Sequence, residues 1–144
     1  MGALDTVYQD RLLALAGSIA RNGHTVDSPD AETSAVSRAC GSRIDIQLKL
    51  DGDRIIDYGQ KIEACALGSA AASAVGAAII GRRVAEVRQA GTEMRAMLKQ
   101  GGPPPGGAFA ALAALEPARS FTNRHASMQL TFTALEKAFK VRGF

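Results

Sequence analysis

The chain has 144 residues, 47% of them hydrophobic and 22% charged, with a formal charge of +3. A chain of that length buries about two-thirds of its unfolded surface, so a single domain spanning 1–144 is expected. Lys and Arg are scattered and aromatics make up only 5%, which argues against a nucleic-acid partner.

Two cysteines and no secretory leader pattern indicate a reducing, cytoplasmic setting. The most apolar run, residues 66–80, falls short of the roughly 20 residues a membrane span needs. No membrane association is expected.

The first helix reads over residues 6–21, where Tyr8, Leu12, Leu15 and Ile19 recur at helical spacing and Asn22-Gly23 makes a stop. His24 follows in a polar loop and reads as a solvated residue. From residue 32 the period changes to two. Ile44, Ile46, Leu48 and Leu50 alternate with Asp45, Gln47 and Lys49, which marks a half-buried strand. Asp51-Gly52 is a hairpin turn, residues 54–63 return as the partner strand, and residues 33–38 supply a third strand.

Cys65 ends that return strand. The helix that follows, to Gly81, consists almost entirely of Ala, Gly, Ser and Ile, so it has no charged face and must be covered on nearly all sides. A second helical region, residues 84–99, carries Val84, Val87, Met94 and Leu98 on one stripe, with Gly91 expected to split it. The sequence GGPPPGG at 101–107 is a loop whose prolines remove the amides a phosphate cradle would need. A short helix, 109–115, precedes Pro117, and a last helix spans 124–140 with Met128, Phe132, Leu135 and Phe139 facing the core. Thr122 or Asn123 is its expected N-cap.

The chemistry-bearing residues are few. Antiparallel pairing sets the outer ends of neighbouring strands side by side, which makes Cys40 and Cys65 expected neighbours. His125 falls in the first turn of the last helix, where a further positive charge is disfavoured and a neutral ring is free to coordinate a metal. Cys, Cys and His form a soft metal site. Two buried cysteines and a capping histidine would give the same sequence, so the residues alone leave both readings open. Ser127 and His125 lie two apart on a helix and point to different sides, which excludes a nucleophile–base pair. Asp57 and Glu116 read as solvated carboxylates.

At these residues the chain resembles the U-type iron–sulfur cluster assembly scaffolds of the SufU and NifU N-terminal kind. Cys40-Gly41 resembles that family's first cysteine before a hairpin. Cys65 with Gly68-Ser69-Ala70-Ala71-Ala72-Ser73 resembles its second cysteine opening a small-residue helix, and Arg124-His125-Ala126-Ser127 stands where the third cysteine belongs. Ser42 replaces the family's Asp and Ala126 its third Cys, while Leu115-Glu116-Pro117-Ala118-Arg119 only faintly matches the segment that the family's chaperone grips.

The resemblance implies an α+β fold of the SufE/NifU-like kind, a three-stranded antiparallel sheet covered by helices. It implies a non-enzymatic scaffold that takes sulfur from a cysteine desulfurase and serves apo iron–sulfur acceptor proteins. The ligands would be Cys40, Cys65 and His125, with Ser42 a weak fourth. A [2Fe–2S] cluster normally takes four protein ligands, so three imply a labile cluster or a mononuclear Zn or Fe ion. The alternatives are a sulfur acceptor for the desulfurase that holds no stable cluster, and a docking module that has lost the chemistry.

Overall fold

The computed structural model describes residues 3–39 and 41–144. Cys40 and the side chain of Tyr8 lie outside the described residues. Three strands, β1 (Ala31–Ser37), β2 (Ser42–Asp51) and β3 (Arg54–Glu63), form an antiparallel sheet in the order β1-β2-β3. The alternation of β2 puts Ile44, Ile46 and Leu48 on the buried face, where they join Ala35, Ile55 and Tyr58. Asp45, Gln47 and Lys49 take the other face.

Two helices cover the apolar face. Helix α2 (Ala66–Ala78) packs on β3, and α5 (Leu130–Val141) runs along β1 and β2. Residues 68–76 of α2 are all buried, because α1 (Ala3–Gly17), a run of 3₁₀ turns (Gly107–Ser120) and the short α4 (His125–Met128) close over its other sides. Close approach explains the small residues. A Cβ on Gly76 would stand 2.6 Å from both the Ala20 carbonyl oxygen and the Gln60 Nε2.

Gln60 is the polar pin of this layer. Its buried amide donates to the carbonyls of Ala20 at 2.8 Å and Ala72 at 2.9 Å, and it accepts the Tyr58 hydroxyl at 2.9 Å. Burial pushes the Tyr58 phenol far above its ordinary pKa, so it remains a donor.

Several elements differ from the sequence expectation. Helix α1 ends at Gly17 rather than 21, and Arg21 then turns the chain at φ 59°. The segment after it then runs along the open edge of β3, with Gly23 N–H on the Gln60 carbonyl at 2.7 Å. Asp57 is not a free carboxylate. It accepts from Arg21 Nη2 at 2.5 Å and lies 3.0 Å from His24 Nε2, so His24 is paired as well.

Helix α2 stops at Ala78, before Gly81. Helix α3 (Val84–Gln100) runs unbroken through Gly91 and ends at Gly101, whose φ of 67° suits a glycine cap. Gly91 is tolerated in mid-helix because Phe132 packs onto it, 3.1 Å from where a Cβ would be. The helix expected at 109–115 is instead part of the 3₁₀ run, which continues through Pro117. Proline donates no N–H and opposes α winding there. The expected last helix is two pieces, α4 and α5, divided at Gln129. Thr122 and Asn123 belong to a preceding 3₁₀ turn, and Arg124 stands at the cap position of α4.

Candidate functional site

The register fixes which residues meet. Ser37 pairs with Ser42 across β1 and β2, and Arg43 pairs with Glu63 across β2 and β3. The turn joining Ser37 to Ser42 therefore shares one end of the sheet with the β3-to-α2 junction at Cys65. Helix α4 closes over the same end, and the approach is tight: a Cβ on Gly68 would collide with the Ser127 hydroxyl.

Cys65 takes the cap position of α2 with extended backbone, φ −64° and ψ 172°. Its half-buried thiol lies 3.7 Å from Ser127 Oγ. Burial pushes the thiol pKa up. The Gly68 N–H, the Ser127 hydroxyl, the Leu67 N–H and the Arg124 charge outweigh it, so the net shift is downward. Toward solvent the sulfur opens into a shallow pocket lined by Ala66, Leu67, Phe121, Asn123 and Arg124.

Ser42, the first residue of β2, is fully buried, and its hydroxyl meets that of Ser127 at 2.9 Å. Cys65, Ser127 and Ser42 thus form one continuous chain of polar contacts. Cys40, expected beside Cys65, lies outside the described residues. His125 is buried, with Nε2 2.6 Å from the Arg119 carbonyl oxygen. A carbonyl only accepts, so Nε2 carries the proton and a neutral ring presents its lone pair at Nδ1. As expected, His125 and Ser127 have separate partners. Among the described residues no three His, Cys, Asp or Glu side chains converge.

Sequence reasoning placed the missing third cysteine at Ala126. That residue is exposed, and it is Ser127, 1% exposed, that faces Cys65. A signal for this existed. Ser127, Thr131, Ala134 and Ala138 recur at helical spacing and continue the buried face of α5 back into α4. The donors present suit a soft metal in part: a thiol held toward its thiolate form, with buried hydroxyl oxygens beside it.

The family model described as NifU-like N terminal domain matches residues 8–125. Among solved structures, the chain is similar to a nitrogen-fixing NifU-like protein (N-terminal) from Brucella abortus, at 36% identity and TM-score 0.90, covering 97% of this chain and 96% of that one. It shares its fold with a protein provisionally assigned as the iron–sulfur cluster assembly scaffold of the SUF system in Fervidobacterium islandicum AW-1. There the identity is 16% and the TM-score 0.78, covering 95% of this chain and 98% of that one. A comparison with curated proteins gave no match. No helix among the described residues is long and apolar enough to cross a membrane.

Proposed function

The chain belongs to the NifU-like N-terminal domain family, and on that premise we propose that it is an iron–sulfur cluster assembly scaffold. Residues 1–144 form one domain, non-enzymatic and cytoplasmic. Its cargo is a labile [2Fe–2S] cluster or a single zinc or iron ion, held through Cys40, Cys65 and His125 with Ser42 beside them. A cysteine desulfurase supplies the sulfur, and apo iron–sulfur proteins receive the product. The observation that carries this reading is the Cys65 thiol, half-buried at the start of α2 and favoured as thiolate by the groups around it. A thiolate is the form that binds soft metals and attacks sulfur.

The same donors favour a second reading, because two N–H groups, a hydroxyl and a guanidinium also suit a lone sulfur anion. In it, the Cys65 thiolate attacks the terminal sulfur of the desulfurase persulfide. A new S–S bond forms at Cys65, and the desulfurase cysteine leaves as its thiolate. Anaerobic reconstitution with ferrous iron and sulfide separates the two readings. The scaffold reading expects wild-type chain to retain both after desalting and Cys65→Ser to fall to background. Equal retention by folded wild type and Cys65→Ser removes it. Wild type that retains nothing, yet takes up sulfane sulfur from a desulfurase, leaves the second reading.

A further inference from the structure

Two buried hydroxyls, Ser127 and Ser42, lead inward from the Cys65 sulfur, and two more buried hydroxyls neighbour that pair. Ser42 and Ser127 meet at 2.9 Å, and Ser127 Oγ lies 3.7 Å from Cys65 Sγ. Ser37 stands directly opposite Ser42 in the ladder and is buried on the same face. Thr131 lies four residues beyond Ser127 on the same buried stripe. Ser37 is 5% and Thr131 1% exposed, yet neither hydroxyl has a hydrogen-bond partner among the described residues. Buried hydroxyls without partners are uncommon and cost stability. Here one stands opposite Ser42 in the ladder and the other about one helical turn beyond Ser127.

The spacing is that of a shared ligand sphere. Two tetrahedral ligands with bonds of about 2.3 Å to sulfur and 2.0 Å to oxygen stand about 3.5 Å apart. The Cys65–Ser127 separation of 3.7 Å is close to that without any rearrangement. We infer that Ser127 supplies a further, weak ligand position beside Cys65, and that with Ser42 it sets how loosely the site holds its cargo. The inference rests on the reading that the site takes metal or cluster through Cys65. A serine hydroxyl is protonated at neutral pH and is a poor ligand for a soft metal, whereas a thiolate is a strong one. Two hydroxyls in place of a thiolate and a carboxylate therefore favour release over retention.

The probe is Co²⁺, titrated anaerobically into the reduced apo chain and followed by its thiolate-to-metal charge-transfer absorption. Ser127→Cys should add a thiolate to the coordination sphere, strengthen that band and tighten binding. Changes outside the first ligand shell alone move metal affinity about 10–100-fold, so at least tenfold is expected here. Ala126→Cys, on the exposed neighbour, should leave both band and affinity at wild-type values. Circular dichroism establishes that each variant is folded, and Ser127→Ala reports whether the site tolerates change at that position. A folded Ser127→Cys that behaves as wild type, or an Ala126→Cys that gains as much, overturns the inference. Adding Cys65→Ser separates the two levels. If it abolishes cobalt binding while Ser127→Cys adds none, only the role of Ser127 fails; if Cys65→Ser changes nothing, the metal-site reading fails with it.

Discussion

Replacing Gly76 with alanine sets two effects against each other inside α2. Helix propensity favours alanine over glycine by about 1 kcal/mol, and removing a glycine also stiffens the unfolded chain. Against this, the new Cβ would stand 2.6 Å from the Ala20 carbonyl oxygen and from Gln60 Nε2. The first is backbone and the second is already fixed by bonds of 2.8 and 2.9 Å, so neither can swing away. Overpacking a well-filled core costs about 1–3 kcal/mol, and breaking one buried amide bond adds about 1–3 kcal/mol. The clash wins, and the net loss is about 1–5 kcal/mol after the propensity gain. For a chain near this length that lowers Tm by roughly 6–12 °C at the middle of the range. Urea and thermal denaturation followed by circular dichroism measure it. A midpoint equal to or above wild type would refute the account of how α2 is seated, and with it the placing of Cys65.

Two further predictions concern the same framework. Tyr58→Phe removes the only donor among the described residues to the Gln60 side-chain amide oxygen, in a fully buried setting, so stability should fall by about 1–2 kcal/mol; an unchanged urea midpoint would count against Gln60 as the pin. Glu136 accepts from Arg88 at 2.9 and 3.0 Å, and that pairing holds its carboxyl below the usual pKa against the opposing effect of burial. A depressed carboxyl contributes stability above its unfolded pKa of about 4.3 and loses it as pH falls through the lower folded value. Both side chains are more than a third exposed, so Glu136→Gln should cost less than about 1 kcal/mol near neutrality. The difference from wild type should vanish in acid, and a difference that grows in acid would reverse the sign.

The sheet was legible because its signals are local. Alternation from Ile44 to Leu50 and the Asp51-Gly52 turn fix the β2–β3 hairpin without reference to anything distant. The small residues of α2 likewise announce their burial, since nothing else explains a helix with no polar face. The missed features are decided by tertiary contact. Gly91 looks like a break until Phe132 is laid against it, and the Ala-rich stretch before Pro117 reads as α-helix although it packs as 3₁₀ turns. At the site, the resemblance pointed to Ala126, one residue short of Ser127. On a helix one residue is about 100° of rotation, enough to exchange an exposed position for the one facing Cys65. Asp57 looked isolated because Arg21 and His24 reach it only through the left-handed turn at Arg21.

Cluster transfer tests the scaffold reading most directly. Wild-type chain loaded anaerobically with ferrous iron and sulfide is mixed with a [2Fe–2S] ferredoxin stripped of its cluster, and the holo-ferredoxin spectrum is followed with time. The account predicts that it appears faster than from the same concentrations of free iron and sulfide, and that Cys65→Ser removes the advantage. A rate from loaded wild-type chain no greater than from the free ions would contradict it.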